Sequence, residues 1–402
     1  MRILVIAPQP FYQERGTPIA TRLLVEALQS AGHEVDVLTY HVGEDPALSG
    51  VRVFRAPAVP FVRDVPIGFS VRKLLCDIAL GWRLLTLTRR HRYDVLHAVE
   101  EAVFLSLLVR AVRGGGRSVG GSLDSLGCRV VYDMDSSLPE QLLGKYRSLQ
   151  RLDGLLRRLE RLAIARSDLV LAVCEDLAVR VRGYATTTPV DVLEDVSLLG
   201  DGATGVVEDL RRDLPENGAL VMYVGNLEHY QGVDLLLDAV ATLPRSTALK
   251  VVAIGGTPDA VAAYRARAGE LGIGTTMTFV GTRPLKDLGA YLTQADVLVS
   301  PRCSGHNTPM KLYSYLAAGK AVLATRIRSH TQVLTDDCAL LVEPTSQALA
   351  TGLDVLLRSP ALREQLGLAA RRLATTRYSV THFRQSVASA YQRLAIAPAG
   401  GV

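Results

Sequence analysis

The stretch from Ser300 to Thr325, "SPRCSGHNTPMKLYSYLAAGKAVLAT", joins one apolar, strand-like run to another through a polar loop and a short helix. Thr308 is a good N-cap residue, Pro309 suits the first helical position, and Gly319 can close the last turn. These signals predict a helix of about three turns that begins at Thr308. A strand, a helix and a second strand in this order are typical of a parallel sheet.

Lys311 lies in the first turn of this predicted helix, where the macrodipole and the unpaired N–H groups already make the helix end positive. A lysine at this position is unfavourable by roughly 0.3 to 1 kcal/mol. We therefore interpret Lys311 as a residue that binds an anion from outside the chain. The alternative is a solvated surface lysine whose stem packs along the helix.

The composition is that of a globular chain long enough for two domains: 402 residues, of which 48% are hydrophobic and 21% charged. The net charge is only mildly basic, at +5, and no basic tract is interleaved with aromatic residues, so we expect no nucleic-acid partner. Five widely spaced cysteines predict reduced thiols in a cytoplasmic protein. No apolar stretch reaches the ~18 residues that a membrane span needs.

Apolar, β-branched runs recur along both halves of the chain, with helical patterns between them. They are "RILVIA", "EVDVLT", "DVLHA", "CRVVYDM", "DLVLAV" and "VDVL", then "ALVMYVGN", "LKVVAIGG", "TMTFVG", "ADVLVS", "KAVLAT" and "CALLVE". This alternation predicts an α/β fold of two doubly wound, Rossmann-like domains, each with a parallel sheet. Because ligands bind at the carboxyl ends of such strands, we expect the two domains to face a central cleft that holds the site.

The domain boundaries follow from a less regular segment, 196–218, which we interpret as a linker. Residues 1–198 are predicted to form the N-terminal domain and residues 199–378 the C-terminal one. Residues 379–402 read as a C-terminal helix that can cross back onto the first domain.

Glycines precede helices at two places where a ligand can approach the backbone. Gly16 lies before the helical pattern "TPIATRLLVEALQSAG", for which Thr17 is the predicted cap, and Gly225 and Gly232 repeat the arrangement in the second half. Loop glycines without a ligand are the alternative. The fingerprint G-x-G-x-x-G does not follow the first strand, so we expect no dinucleotide cofactor.

Five segments resemble the family 4 retaining glycosyltransferases of GT-B fold, and they occur in that family's order. They are "ERGTPIATRLLVEALQSAGHEVDVLT", "ARSDLVLAVCEDLA", "YVGNLEHYQGVDLLLDAV", "MTFVGTRPLKDLGAYLTQADVLVSPR" and "NTPMKLYSYLAAGKAVLAT". The resemblance implies a nucleotide-diphosphate sugar donor on the C-terminal domain and a sugar or lipid-linked acceptor on the N-terminal domain. It also implies a hexosyltransferase activity that needs no cofactor and no metal.

The chain departs from the family at five positions. Asn226 and Gln231 occupy the places of an arginine and a lysine that grip the donor diphosphate. His306 and Ser314 replace two glutamates that face the donor sugar and the ribose. Asp135 stands where many members have a histidine beside the donor sugar.

With the usual basic pair absent, we interpret the helix start at Thr308, together with Lys311, as the diphosphate site. Arg302, just after the preceding strand, is a second candidate. The predicted donor-binding residues are Gly16, Gly225, Asn226, Gln231, Arg302, Asn307, Thr308, Lys311 and Ser314.

Three residues are candidates for catalysis, in which an oxocarbenium-like sugar forms as the diphosphate leaves. Asp135 ends a central strand and can bind a sugar hydroxyl or steady positive charge, unless it only caps the N–H groups of "SSLPEQL". His306 is a candidate sugar-binding or acid–base group. His97 also ends a strand, with a buried structural histidine as the alternative. Asp133 and Asp135 spell D-x-D, a weak metal signal, so we predict no metal site.

Two basic, amphipathic helical patterns lie in the N-terminal half, at 63–92 and 145–166. Each has seven Lys or Arg against two acidic residues. Such helices can lie on anionic membranes, although a run of charges is more often a solvated face. We expect a cytoplasmic protein and leave peripheral contact with the inner membrane face as an open alternative.

The leading hypothesis is a retaining glycosyltransferase in surface polysaccharide or glycolipid assembly. The altered motif residues keep a second hypothesis open, a degenerate GT-B protein that binds a glycan or a partner transferase without turnover. A third hypothesis is an epimerase of the nucleotide sugar.

Overall fold

The computed structural model describes residues 1–14, 16–45, 48–65, 70–114, 128–199, 207–214 and 217–396. The chain divides into two compact units. The first is Met1–Glu194 with Phe383–Val402, and the second is Asp195–His382. The sequence-based boundaries, after residues 198 and 378, lie close to these divisions.

The first unit is built on a seven-stranded parallel sheet in the order β3-β2-β1-β4-β5-β6-β7. Its elements are β1 (Arg2–Ala7), α1 (Gly16–Ser30), β2 (Glu34–Thr39), β3 (Arg52–Arg55), α2 (Val71–Arg90), β4 (Val95–Val99), α3 (Ala102–Gly114), β5 (Arg129–Met134), α4 (Leu138–Lys145), α5 (Asp153–Arg166), β6 (Leu169–Ala172), α6 (Glu175–Gly183) and β7 (Val190–Val192). The six predicted strands are confirmed. The sequence missed β3 because this short edge strand, "RVFR", carries arginines at both ends and has no apolar run.

The second unit has a six-stranded parallel sheet in the order β10-β9-β8-β11-β12-β13. Its elements are β8 (Ala219–Val224), α7 (Val233–Thr242), β9 (Leu249–Ile254), α8 (Pro258–Glu270), β10 (Met277–Gly281), α9 (Leu288–Gln294), β11 (Val297–Ser300), α10 (Lys311–Ala318), β12 (Ala321–Thr325), α11 (Arg328–Thr331), β13 (Leu340–Val342), α12 (Ser346–Arg358) and α13 (Pro360–Thr376). All six strands predicted here are also confirmed, and the sheet core is apolar and buried.

The last helix, α14 (Val380–Ile396), belongs to the first unit from Phe383 onward. Its buried residues include Val387, Ala390 and Tyr391. The Tyr391 ring stacks on His97 of β4, so this helix packs at the middle of the first sheet.

Two predicted helix starts are wrong. Helix α1 begins at Gly16, so Thr17 lies inside the helix and does not cap it. Helix α10 begins at Lys311 and has eight residues, about two turns, and Thr308 is not its N-cap. The chain enters α10 through a tight turn in which the Leu312 N–H donates to the Pro309 carbonyl, so Thr308 is left before the helix. Gly319 closes the helix in the left-handed region, with φ 65°, as predicted.

Candidate active site

Each sheet has one place where the strand order reverses, between β1 and β4 in the first unit and between β8 and β11 in the second. Ligands of doubly wound sheets bind beyond the carboxyl ends of the strands at such a switch point. In the second unit, Gly225 follows β8 and Arg302 follows β11. In the first unit, Gly16 comes in the segment after β1, and Glu100 follows β4 directly.

Lys311 brings its amine to the second switch point. Nζ donates a hydrogen bond of 2.9 Å to Gln231 Oε1 and lies 4.1 Å from the centre of the Tyr223 ring. Burial, together with the nearby Arg302 charge, lowers the pKa of Lys311 well below its usual value. The lysine is half-buried and held by other elements, which does not fit the alternative of a solvated surface lysine.

Gly225 and Gly232 shape the backbone around this amine. A Cβ built on Gly225 would lie 2.9 Å from Lys311 Nζ, so only glycine leaves the amine its present position. Gly232 has φ 72°, and a Cβ there would overlap the Pro301 carbonyl oxygen. Both glycines are therefore needed by the protein itself, whatever ligand is bound.

Two of the altered family positions lie in the segment after β8. Gln231 is 7% exposed and ends a short 3₁₀-helix, His229–Gln231. Asn226 is exposed, and its carbonyl accepts a hydrogen bond of 2.5 Å from the Tyr223 hydroxyl. Gln231 thus reaches the site through Lys311, whereas the Asn226 side chain donates to the Tyr230 hydroxyl at 3.5 Å.

Arg302 is buried and organises the loop that follows β11. Its guanidinium donates to the Ser304 carbonyl at 2.7 Å and to Asn307 at both the carbonyl and Oδ1, at 3.0 and 3.1 Å. It also lies over the Tyr230 ring, 5.2 Å from the centroid. Arg302 and Asn307 are therefore brought together, in a contact that fixes the loop leading to α10.

Thr308 and Ser314 lie on either side of the Lys311 backbone. Thr308 is buried, and within the described residues its Oγ1 has no hydrogen-bond partner. An unpaired buried hydroxyl is unfavourable, so this oxygen is suited to bind a ligand. Ser314 is buried too, and its Oγ accepts a 3.1 Å bond from the Leu198 N–H, which ties the start of the second unit to α10.

Two histidines of the second unit differ sharply. His306 is exposed in the loop before α10, and its carbonyl accepts a bond from Gln332. His330 is fully buried: Nδ1 donates to the Thr325 carbonyl at 2.8 Å, so Nε2 accepts from Ser300 Oγ at 3.0 Å. Burial lowers the pKa of His330 to about 3, which makes it a neutral structural residue.

His97 is fully buried in the first unit and uses both ring nitrogens. Nε2 donates to Asp133 Oδ2 at 3.1 Å, and Nδ1 lies 2.7 Å from the Tyr391 hydroxyl, within hydrogen-bond distance. This is the geometry of the structural alternative, in which the histidine joins β5 and α14. Asp133 is engaged by His97.

Asp135 follows β5 and is half-buried, next to Ser136 and the start of α4. The N-cap residue of α4 is Ser137, whose side chain makes no capping bond. Gly16 is exposed, and a Cβ built on it would meet no atom within 4 Å. The protein does not itself require glycine at position 16, in contrast to Gly225.

Carboxylates gather after β4, where Glu100 and Glu101 follow the strand that carries His97. Glu100 has φ 52°, and its two carboxylate oxygens share the hydrogen that the Ser136 hydroxyl donates, at 3.0 and 2.9 Å. Burial raises the pKa of Glu100. Glu101 pairs with Lys73 of α2. Burial and the Glu101 charge raise the pKa of Asp77 to about 7. The sequence signal was present, since two adjacent acidic residues directly follow an apolar strand.

Among the described residues, no group of three His, Cys, Asp or Glu side chains is placed to hold a metal ion. In the same residues, no helix is long and apolar enough to cross a membrane.

Comparison with known proteins agrees with these two sheets. The description "Glycosyltransferase Family 4" matches residues 15–194, and "Glycosyl transferases group 1" matches residues 208–373. The chain belongs to the group 1 glycosyltransferases of GT-B fold. A phosphatidyl-myo-inositol mannosyltransferase of Mycobacterium tuberculosis is 27% identical to this glycosyltransferase over 98% of the chain and 97% of the relative.

Solved structures share the fold of this glycosyltransferase. Sucrose-phosphate synthase from Thermosynechococcus elongatus superposes with a TM-score of 0.78 at 20% identity, covering 98% of this chain and 99% of that one. HepE from Anabaena, in complex with UDP, gives 0.70 at 16% identity, covering 98% and 100%. At these identities the likeness concerns the fold.

Proposed function

We propose that this glycosyltransferase moves a hexose, with retention of configuration, from a nucleotide-diphosphate sugar to a hydroxyl of a sugar or lipid-linked acceptor. The observation that carries the proposal is the Lys311 amine at the second switch point, held by Gln231 and Tyr223 beside the glycine backbone after β8. A half-buried amine that has no acidic partner among the described residues suits a diphosphate, which supplies the missing negative charge. The fold of HepE, which was solved with UDP, supports a nucleotide donor here.

The leaving diphosphate is the main charge that the protein must stabilise during transfer. Lys311 would bind it, and the Thr308 hydroxyl would donate to it. Arg302 would act through the loop it orders, which carries His306 and Asn307 toward the donor sugar. Asp135 of the first unit would bind an acceptor hydroxyl.

The donor site of this proposal needs no metal and no cofactor, because protein groups supply the positive charge. Lys311 and the backbone N–H groups at the start of α10 would take the role that Mg²⁺ has in other transferases. Equal nucleotide affinity with and without Mg²⁺ is the expected result.

The acceptor is proposed to be a glycolipid or a growing surface polysaccharide. The mycobacterial relative is named as a phosphatidyl-myo-inositol mannosyltransferase, which supports a lipid-linked acceptor. Two helices of the first unit carry apolar residues on an exposed face, with arginines beside them. On α2 these include Ile78 and Trp82, 62% and 63% exposed, and on α5 Leu155 and Leu162, 54% and 50% exposed.

We therefore propose peripheral binding to the inner, anionic face of the cytoplasmic membrane through α2 and α5. Exposed Arg72 and Arg89 on α2, and Arg158 and Arg161 on α5, would contact lipid headgroups. The apolar residues would enter the interface region.

The test of the function is calorimetric titration of UDP, GDP, dTDP and CDP into the purified protein, first without metal and then with Mg²⁺. The expected result is that one nucleotide binds in the micromolar range without metal. That base then selects the sugar nucleotides for turnover assays with lipid-linked acceptors. If no nucleotide binds under either condition, the donor site is contradicted and the non-catalytic reading of the chain replaces it.

A further inference from the structure

The groups around the Lys311 amine hold it in place without balancing its charge. Gln231 Oε1 accepts its hydrogen bond at 2.9 Å, and the Tyr223 ring lies 4.1 Å away. Neither group is anionic. Within the described residues, no carboxylate forms an ion pair with Lys311, whereas Arg2, Arg52, Lys73 and Arg211 each have one.

The other titratable groups that face the amine are neutral or positive. Arg302, from the loop after β11, is a cation. His330 of α11 is buried and neutral. The Tyr223 hydroxyl of β8 and the Tyr315 hydroxyl of α10 have pKa values raised by burial, so both stay protonated. No element packed against Lys311 therefore supplies a counter-charge from its described residues.

Such surroundings favour a neutral amine. Burial disfavours the charged form, and the Arg302 cation repels it, so the pKa of Lys311 is lowered well below its usual value. The Tyr223 ring face attracts a cation and opposes part of this effect. A neutral amine still donates to Gln231 Oε1, so its position does not depend on the proton.

We propose that a nucleotide-diphosphate sugar binds together with one proton, which the Lys311 amine takes up from solvent as the diphosphate supplies its counter-charge. Gln231 is then a positioning residue that holds the amine ready. This inference rests on the proposed donor site. It makes donor binding weaker as pH rises between the pKa of Lys311 alone and its pKa in the complex, by at most about tenfold per pH unit.

The experiment is calorimetric binding of UDP-glucose and of GDP-mannose at several pH values, each in two buffers of different ionisation enthalpy. The difference in heat between buffers gives the number of protons taken up. Neither probe has a group that titrates near neutral pH, since the diphosphate is fully ionised and the bases lose a proton only at alkaline pH, so uptake near neutral pH reports on the protein. For the wild type, the expected uptake rises toward one proton as pH rises into the window where Lys311 alone is neutral.

Two variants test whether Lys311 is the group that takes up the proton. Lys311→Arg keeps a cation that never loses its charge, so uptake is expected to vanish. Gln231→Glu places a carboxylate beside the amine and keeps it protonated, so uptake should also vanish although Lys311 is retained. Lys286→Arg makes the same change at an exposed lysine of the second unit, so it is the matched control and should retain uptake.

Each outcome decides the inference. Binding of the wild type without uptake at any pH overturns it and leaves the proposed donor site intact. Undiminished uptake in Lys311→Arg overturns it as well, because another group then takes the proton. If neither binds the wild type, sugar nucleotides of the other two bases, dTDP and CDP, are titrated in the same way, and the inference and the proposed function both fall if none of them binds. The wild-type titration alone remains decisive if a variant does not fold, which thermal unfolding would reveal.

Discussion

Acidic groups lie at the carboxyl edge of the first sheet and basic groups at that of the second, and burial disfavours the charged form of both. After β4, burial raises the pKa of Asp77 to about 7, and the pKa of Glu100 is raised in the same way. At the second switch point, burial lowers the pKa of Lys311 and Arg302. Titratable groups whose pKa values are strongly shifted are typical of functional sites, where a ligand can supply the interactions that the protein does not. The contrast suits an anionic donor on the second unit and a hydroxyl acceptor on the first.

The two edges are also built differently. The second edge depends on backbone approaching backbone, since Gly232 lies against Pro301 and Gly255 against Gly225. The first edge depends on side chains, with Ser136 on Glu100 and Lys73 on Glu101. We expect the second edge to be intolerant of added atoms and the first to be sensitive to charge.

The largest expected effect is that of Gly232→Ala on stability. Gly232 and Gly281 have the same φ of 72°. A Cβ added at Gly232 would overlap the Pro301 carbonyl, whereas a Cβ added at Gly281 would meet no atom within 4 Å. Left-handed backbone alone is unfavourable for alanine by about 1–2 kcal/mol, and overpacking adds about 1–3 kcal/mol. Denaturant unfolding should therefore rank Gly232→Ala well below the matched Gly281→Ala. Equal losses would contradict the close packing at this edge.

The next effect concerns the first unit, through its exposed apolar helix face. The double change Ile78→Glu and Trp82→Glu should weaken binding to anionic liposomes by at least about tenfold, because two apolar side chains leave the interface. Leu368→Glu, at a comparably exposed site on α13 of the second unit, is the control and should change little. Co-sedimentation measures both. The membrane proposal would be contradicted if wild-type binding did not depend on the anionic lipid content, or if both variants lost liposome binding equally.

The smallest expected effect concerns the pH dependence of the free energy of unfolding, to which His330 and Asp77 contribute slopes of opposite sign. His330 has a pKa of about 3 in the fold against about 6.5 unfolded, so the unfolded chain binds more protons between these values and stability falls as pH falls there. The slope is at most about 1.4 kcal/mol per pH unit. Asp77, with a pKa of about 7 in the fold, acts oppositely: the folded chain binds more protons between about pH 4 and 7, and stability falls as pH rises.

Variants at these two residues separate the slopes. His330→Gln should flatten the loss of stability below pH 6.5, and Asp77→Asn should flatten the loss between about pH 4 and 7. Denaturant unfolding at a series of pH values measures each change. A wild-type slope that neither substitution alters would contradict the assigned pKa directions.

Local sequence determined the strands well, because a buried parallel strand needs an apolar run that is visible within six residues. Gly319 as a helix end and Lys311 as an unusual first-turn cation were visible for the same reason. The residues that these side chains contact were not visible in the local sequence. Lys311 meets Gln231, 80 residues away, and His97 meets Tyr391, 294 residues away. Spacing along the chain carries no information on such contacts, which is why His97 looked like a candidate for catalysis.

The most direct test of the donor site compares two lysines of the second unit. Lys311→Ala removes the half-buried amine, and Lys286→Ala removes an exposed one of the same charge. Calorimetry with the nucleotide that binds the wild type should show at least about tenfold weaker binding for Lys311→Ala, since a charged hydrogen bond contributes about 1.5–3 kcal/mol. Lys286→Ala should bind as the wild type does. Unchanged affinity in a folded Lys311→Ala variant would contradict the account.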